Sequence, residues 1–211
     1  MNVAVILAAG ESRRMGEPKQ LLPFAGKTML ECVIDAFDSP KIDEILVVLG
    51  YKAQEIAAKF REGKAPAEPH GGTARREARP PRLKIVTNAG WKAGMFTSVQ
   101  AGVRALPAKT KLVLIGLCDQ PRLQRATVEK LVDTFHAGKH TILIPSHSGR
   151  QGHPLLCAAK YGREIAGMEA SLTLKHFLAQ HPDEIARLVV DDEGVLVDID
   201  DRATYEREAK R

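Results

Sequence analysis

Three runs of almost purely apolar residues mark this 211-residue chain, and each run is short, continuous and followed by a small residue. The runs are Val3–Ala8, Glu44–Leu49 and Leu112–Leu117. Continuous apolar runs of this length predict strands that are buried on both faces of a sheet. Between the runs, residues 28–37 and 127–136 place apolar side chains at helical spacing. Strands that alternate with helices predict an α/β fold, with a mostly parallel sheet in three layers and helices on both faces.

The length of the chain fits a single domain with a complete core. One segment departs from the rest: residues 61–82 contain four prolines, three glycines and six Arg or Lys residues against three Glu. Such a segment has too few apolar side chains to build a core, so we predict an exposed, flexible loop inserted into the domain. A basic loop can also contact nucleic acid, but this one lacks the aromatic side chains on which bases stack.

Near the C-terminus, apolar runs predict two late strands, Ala186–Val190 and Val195–Ile199, joined by a turn at residues 191–194. Upstream, residues 172–179 have a helical pattern, and Ser171 is positioned to cap that helix.

Several functional classes are excluded by bulk properties. The net charge of +5 is modest, so nucleic acid is not an expected partner. The three cysteines are widely separated and form no CxxC pair, which favours a reduced, cytoplasmic protein. The N-terminus lacks a secretory signal pattern. No apolar stretch approaches the roughly 18 residues that a membrane span needs, so no membrane contact is expected.

The loop after the first strand combines small residues with positive charge. Ala8, Ala9 and Gly10 allow a ligand to approach the backbone N–H groups, and Arg14 and Lys19 follow on the same loop. Such a loop is suited to a polyphosphate, although an ordinary connection with its arginines in water has the same composition.

A second candidate for a ligand site is Asp119, which lies just after the strand Leu112–Leu117. Ligands of parallel α/β sheets bind beyond the carboxyl ends of the strands, so both this residue and the opening loop become candidates for a site. Common phosphate fingerprints are absent. GxGxxG fails because Ser12 stands at its second glycine, and the P-loop pattern ending at residues 26–28 fails because Leu21 stands at its first glycine.

The motifs that are present occur in order along the chain. They are LAAGxSxRMGxxKxLLP at residues 7–23, GMxxSxxxG at 94–102, CDQP at 118–121, GHP at 152–154 and DID at 198–200. Together they resemble the signatures of the molybdenum cofactor nucleotidyltransferases, a family in the NTP transferase superfamily. The chain departs from the family pattern at Cys118, at Gln151 and after Asp200, where DRAT replaces TPED.

The resemblance implies a Rossmann-like nucleotidyltransferase fold and an activity. The LLPFxGxTxL form is closer to the cytidylyltransferase branch, which implies transfer of CMP from CTP to the terminal phosphate of a molybdopterin-type cofactor, with release of pyrophosphate. It also implies CTP or another NTP, the molybdopterin-type cofactor and a molybdoenzyme that receives the product as partners, and Mg²⁺ as cofactor. Two alternatives stay open: another phosphorylated acceptor such as a sugar phosphate, and a non-catalytic chaperone that delivers the cofactor.

The resemblance also implies roles for individual residues. Arg14, Lys19 and Asp119 are expected to be catalytic, and Mg²⁺ is expected on Asp119 and Asp200, with Asp198 in reserve. The expected nucleotide-binding residues are Leu7, Ala8, Ala9, Gly10, Ser12, Arg14, Lys19, Ser98 and Asp119.

Some roles remain open at the level of sequence. Ser98 either binds the base or caps its helix, and His153 is either a site residue or a structural histidine. Arg13 is expected in solvent. Asp191 and Asp192 are expected in the turn, although either is an alternative ligand for the metal.

Overall fold

The computed structural model describes residues 1–62, 82–138 and 140–211. The strands in these ranges are β1 (Asn2–Ala8), β2 (Pro23–Phe24), β3 (Lys27–Thr28), β4 (Glu44–Leu49), β5 (Arg82–Thr87), β6 (Leu112–Leu117), β7 (Ile142–His147), β8 (Arg150–Gln151), β9 (Leu155–Ala158) and β10 (Ile185–Val189). The α-helices there are α1 (Met29–Phe37), α2 (Ala53–Glu62), α3 (Met95–Arg104), α4 (Arg125–Ala137), α5 (Tyr161–Gly167), α6 (Leu174–Gln180) and α7 (Arg202–Ala209). None of the helices in the described ranges has both the length and the apolar character needed to cross a membrane.

The strands form one mostly parallel sheet in the order β5-β4-β1-β6-β9-β7-β10. β8 pairs with β7, and β2 and β3 form a separate hairpin. The strand β9 runs antiparallel to β6 and β7, and β8 is antiparallel to β7, whereas the other neighbours in the sheet are parallel. The predicted α/β fold with a mostly parallel sheet is therefore confirmed.

Two apolar cores lie on opposite faces of this sheet. Ala4 and Ile6 of β1 belong to the core under α1, α2 and α4, whereas Val3 and Val5 belong to the core under α3, α5 and α6. All four side chains are fully buried. The continuous apolar run of β1 thus has the physical cause inferred from the sequence, because a strand covered by helices on both faces has no side exposed to water.

Two glycines bring the layers unusually close. A Cβ atom at Gly102 of α3 would lie 2.3 Å from Val5 Cγ1, and one at Gly116 of β6 would lie 2.6 Å from Phe37 Cζ. These glycines let α3 and α1 pack tightly against the central strands.

The connection pattern defines where a ligand can bind. From β1 the chain passes through α1 and α2 to β4 and β5 on one side, and α3 then returns it to β6 on the other side. Such a reversal opens a crevice beyond the carboxyl ends of the two central strands. The loops that begin at Ala9 and Cys118 lie at this point.

Three expectations from the sequence differ from the structure. Residues 195–199 are not a strand: a 3₁₀ turn, Glu193–Val195, is followed by irregular backbone. This segment is held by isolated hydrogen bonds to other loops rather than by the regular hydrogen bonds of a sheet, and Ile199 N donates to the Asp119 carbonyl at 2.8 Å.

The N-cap of α6 is Thr173 instead of Ser171, since the Thr173 backbone and side chain pair with His176.

The third expectation, an exposed flexible loop at residues 61–82, differs from the structure only at its two ends. Its first two residues belong to α2 and its last residue begins β5. Residues 63–81 of the predicted loop lie outside the described residues, so the flexible loop stays a prediction.

Candidate active site

The loop after β1 folds back on itself around a buried glutamine. The side-chain amide of Gln20 donates to the carbonyls of Ala8 and Gly10, at 2.8 and 3.0 Å. The Ser12 backbone is left-handed, with φ 59°, and its hydroxyl accepts from the Lys19 backbone N–H at 3.2 Å. These bonds hold the Ala8 and Gly10 carbonyls toward Gln20. The Lys19 side chain extends toward Asp119, just after β6.

A cleft of about 350 Å³ lies between this loop and the carboxyl end of β6. Among the residues expected from the sequence, it is lined by Leu7, Ala9, Gly10, Arg14, Lys19, Ser98, Asp119, Asp198 and Asp200. The lining does not include two of the expected nucleotide-binding residues, Ala8 and Ser12, which instead support the loop through Gln20 and Lys19.

The centre of the cleft is an ion cluster built from three distant parts of the chain. The Lys19 ammonium lies 2.6 Å from Asp119 Oδ2 and 2.9 Å from Asp200 Oδ1. Only 11% of the Lys19 side chain is exposed. Burial alone would lower its pKa, but the acidic groups around it, Cys118, Asp119 and Asp200, outweigh burial and raise the pKa. Lys19 is therefore a fixed positive charge throughout the physiological range.

The second cation of the loop joins the same cluster from the solvent side. Arg14 Nη2 lies 3.0 Å from Asp200 Oδ2, and about two thirds of the Arg14 side chain is exposed. Burial opposes ionisation of Asp200, but its bonds to Lys19 and Arg14 prevail and lower its pKa. Arg13 instead pairs with Glu11 at 2.7 Å and stays largely in solvent, as the sequence predicted.

Asp119 and Asp200 meet because two loops are tied together. The Asp119 carbonyl accepts from Ile199 N, which joins the loop after β6 to the segment that carries Asp200, and Cys118 N donates to the Leu7 carbonyl of β1 at 3.1 Å. The other oxygen of the Asp119 side chain, Oδ1, is buried and has no hydrogen-bond partner among the described residues. A buried polar oxygen left unpaired in this way is costly, which indicates a position for a further ligand.

Asp198 is the third carboxylate of the cleft. Its Oδ1 accepts from the Gln120 side-chain amide at 2.8 Å. Desolvation and the negative charge of Asp119 raise the pKa of Asp198, against the hydrogen bond from Gln120.

The donors of the cleft fit a hard divalent cation in part. Asp119 Oδ1 is a free carboxylate oxygen, the kind of ligand that Mg²⁺ prefers. Both oxygens of Asp200 are engaged by Lys19 and Arg14. Within residues 1–62, 82–138 and 140–211, no three His, Cys, Asp or Glu side chains are grouped so that they alone could hold a metal. Such a cation would therefore need water or phosphate oxygens as further ligands, and it would compete with Lys19 for Asp200.

The alternatives left open by the sequence are narrowed by the geometry. Ser98 does not cap its helix, because α3 begins after Gly94. Its hydroxyl lines the cleft and accepts from the Asn88 side-chain amide at 3.0 Å. His153 lies near Asp198 without lining the cleft, and burial lowers its pKa against the pull of Asp198 and Asp119.

The turn predicted at residues 191–194 contains an aspartate, Asp192, whose hydrogen bonds are structural. Asp192 is buried and accepts from the Gln124 and Gly194 backbone and from the Thr127 hydroxyl, at 2.6–3.0 Å. Asp191 is exposed, and neither residue lines the cleft.

An apolar wall of the cleft was not anticipated. It is formed by Trp91 and Met95, which precede and begin α3. Trp91 packs edge-on against Tyr51 at a centroid distance of 5.7 Å. A Cβ atom at Gly50 would lie 2.5 Å from Trp91 Cβ, so only glycine leaves room for the indole. The only tryptophan of the chain, set in a glycine-rich turn before a helix, was the available sequence signal.

Comparison with known proteins decides the family. A model of the MobA-like NTP transferase domain matches residues 4–185. The chain belongs to the MobA-like NTP transferase family. The resemblance seen in the sequence motifs is thereby confirmed, and the protein is a nucleotidyltransferase by family.

Individual relatives of this MobA-like chain have different names. Nicotine blue oxidoreductase of Paenarthrobacter nicotinovorans is 30% identical over 203 residues, covering 93% of this chain and 90% of that protein. Molybdenum cofactor cytidylyltransferase of Escherichia coli (strain K12) is 28% identical over 153 residues, covering 72% of this chain and 67% of that protein.

Solved structures share the fold of the MobA-like chain. A crystal structure of Rv0371c from Mycobacterium tuberculosis H37Rv, 23% identical, covers 100% of this chain and 97% of its own, with a TM-score of 0.77. A complex of Rv0371C with manganese, 22% identical, covers 99% and 98% of the two chains, with a TM-score of 0.71.

The family match ends before two of the carboxylates in the cleft. Asp198 and Asp200 follow residue 185, so they lie beyond the matched segment. Their place beside Asp119 is known from the structure, through the bond between Ile199 and the Asp119 carbonyl.

Proposed function

We propose that this MobA-like protein transfers CMP from CTP to the terminal phosphate of a molybdopterin-type cofactor and releases pyrophosphate. The observation that carries the proposal is the cluster of Arg14 and Lys19 with Asp119 and Asp200 at the switch point of the sheet. The choice of CTP and of the acceptor is supported by the LLPFxGxTxL form of the opening motif and by the Escherichia coli cytidylyltransferase relative.

The proposed chemistry needs charge and position rather than a base. The attacking oxygen belongs to a phosphate that is already ionised at neutral pH. The protein must therefore hold two anions in line and offset the charge that builds at the α-phosphate. Lys19 and Arg14 are the cations for the triphosphate, and Ala9 and Gly10, which line the cleft, allow close approach to the backbone.

Mg²⁺ bound by Asp119 and Asp200 would supply further positive charge at the reacting phosphate. Support comes from the unpaired Asp119 Oδ1, and the manganese complex of Rv0371C shows that a protein of this fold takes a divalent ion. Asp198, held by Gln120, is the reserve ligand. We further propose that the protein acts without a membrane or nucleic acid and passes its product to a molybdoenzyme.

Pyrophosphate release, measured with each of the four nucleotides, tests the proposal. Release is expected with CTP, Mg²⁺ and molybdopterin-type cofactor together, and not when any of the three is omitted. If CTP gives no release with this acceptor but does with a sugar phosphate, the alternative acceptor is correct. Tight cofactor binding with no release from any nucleotide would favour the delivery chaperone.

Neighbouring arginines provide a matched pair of variants for the phosphate role. Arg14→Gln is expected to weaken CTP binding several-fold, because it removes a cation that lines the cleft. Arg13→Gln is the control, since Arg13 pairs with Glu11 in solvent. Equal CTP affinities of the two variants would contradict the assigned role of Arg14.

A second candidate is an oxidoreductase activity. It is favoured by one observation: the nicotine blue oxidoreductase relative matches 93% of this chain. Incubation with a nicotinamide dinucleotide and a coloured aromatic acceptor tests it. Oxidation of the reduced dinucleotide without pyrophosphate release from CTP would replace the first proposal with this one.

A further inference from the structure

Glu208 of α7 is a buried carboxylate outside the cleft. Only 3% of its side chain is exposed, and three guanidinium groups surround it: Arg122 Nε at 2.8 Å, Arg207 Nε at 3.0 Å and Arg211 Nη1 at 3.4 Å. Burial of an ion is costly unless its partners are held in good geometry. Arg207 and Arg211 lie on α7 or just after it, so the position of this helix depends on Arg122, whose Nε pairs with Glu208 by charge without a hydrogen bond.

Arg122 is the partner from another part of the chain, the loop after β6. It follows Asp119 by three residues on the same loop. Besides its contact with the carboxylate, its Nη2 donates to the Glu208 carbonyl at 2.6 Å. Its guanidinium also lies 5.7 Å from the centroid of the Phe24 ring. Arg122 thus contacts the last turn of α7 at both the carboxylate and the backbone carbonyl of Glu208.

The same two chain segments are joined again next to the cleft. The Asp119 carbonyl accepts from Ile199 N at 2.8 Å, and the buried Gln120 side chain donates to the Val195 carbonyl at 3.1 Å. The backbone also approaches closely there, because a Cβ atom at Gly194 would lie 2.3 Å from the Arg122 carbonyl.

Asp200 lies between these two attachments. Ile199 fixes the backbone just before it, and α7, which starts at Arg202 with Asp201 as its cap, fixes the backbone just after it. Lys19 and Arg14 contact the side chain of Asp200 but leave its backbone unconstrained on the α7 side.

We propose that the Arg122–Glu208 pair positions Asp200 against Asp119, and that Arg122 and Glu208 are positioning residues for nucleotidyl transfer. The inference rests on the proposed function, because it assigns Asp200 to the cation site of that reaction. Neither residue lines the cleft, so both act through the placement of α7.

The test measures Mn²⁺ affinity by electron paramagnetic resonance in the full-length protein, with no turnover required. Glu208→Gln is expected to weaken Mn²⁺ binding about tenfold, the low end of the 10–100-fold effect of residues that orient metal ligands. In an Asp200→Asn background, the same substitution is expected to add no further loss, because the residue through which it acts is already altered.

A matched control is available at the start of β4, at the end of the strand away from the cleft. Glu44, the first residue of β4, is a buried carboxylate that pairs with Lys84 at 2.7 Å. Glu44→Gln removes a comparable buried ion pair and is expected to lower the unfolding midpoint while Mn²⁺ affinity stays unchanged. Should Glu208→Gln fail to fold, Arg122→Lys is the milder variant, with a smaller loss of affinity in the same direction.

Three results would overturn the inference: unchanged Mn²⁺ affinity in folded Glu208→Gln, an equal loss in the Asp200→Asn background, or no effect of Asp200→Asn alone. Pyrophosphate release from CTP is measured separately. Release that persists in wild type alongside any of these results leaves the proposed function standing and removes only the positioning role.

Discussion

Replacement of Lys19 by methionine should change metal and nucleotide binding in opposite directions. In the structure the Lys19 ammonium bridges Asp119 and Asp200. A divalent cation that bridges the same carboxylates must displace this ammonium from Asp200. Lys19→Met removes the competitor and keeps the apolar stem, so we expect the variant to bind Mn²⁺ alone more tightly than the wild type and to bind CTP more weakly.

The magnitude follows from the contacts that an entering cation must break. Lys19 makes two hydrogen bonds to ionised carboxylates, at 2.6 and 2.9 Å, in a largely buried position. Bonds to charged groups contribute about 1.5–3 kcal/mol each. Asp119 can offer its unpaired Oδ1 without losing Lys19, so the cation displaces the ammonium from Asp200 only. Loss of one such bond corresponds to an increase of about 10- to 100-fold in Mn²⁺ affinity for the variant.

The assay is a titration of free Mn²⁺ by electron paramagnetic resonance, repeated with CTP by calorimetry. Lys27→Met is the control, because Lys27 pairs with the exposed Asp35 away from the cleft, and its Mn²⁺ affinity should match the wild type. Mn²⁺ affinity that is unchanged or lower in Lys19→Met would refute the reasoning, since it would mean that Lys19 and the cation do not share ligands.

Three further predictions concern catalysis and stability. Asp119→Asn is expected to reduce pyrophosphate release by several orders of magnitude in a protein that remains folded, and normal turnover would contradict its assigned role. The hydroxyls of Thr141 and Tyr161 lower the pKa of Glu184 from 4.5 to about 2. Its contribution to stability is therefore present above about pH 4.5 and lost as the pH falls toward 2, so thermal unfolding of Glu184→Gln should differ from the wild type at pH 7 but not near pH 2. Gly102→Ala should destabilise the fold by about 1–3 kcal/mol in urea unfolding, because its Cβ would enter a filled core, whereas Gly167→Ala, which meets no atom within 4 Å, should not.

The central strands could be predicted because burial on both faces leaves a direct trace in sequence. β1, β4 and β6 are continuous apolar runs, and their observed bounds lie within one residue of the prediction. Parallel strands place their carboxyl ends at one edge, so Lys19 and Asp119 could be expected near each other before the structure was known. Their direct contact could not, because it depends on how the loop turns around Gln20.

The remaining features depend on contacts between residues far apart in sequence. Residues 195–199 are mostly apolar like a buried strand but pair with no strand among the described residues, so the pattern misled the prediction. Asp192 resembled an ordinary turn residue, and only its bonds to the Gln124 backbone and the Thr127 hydroxyl show that it is a buried structural acid. The partners of Glu208 are equally hidden, because nothing local marks Arg122 as one of them.

The late position of Asp200 has a consequence for how the protein matures. During translation the N-terminus of the chain emerges from the ribosome first, and domains begin to fold as they emerge. All ten described strands precede Asp200, so the sheet can assemble while Lys19 still has Asp119 as its sole carboxylate partner from the cleft's ion cluster. The cleft therefore gains its full charge balance only after the sheet, when α7 emerges and docks on Arg122. Released chains that end just before and just after α7 should differ in cation binding although their sheets are the same.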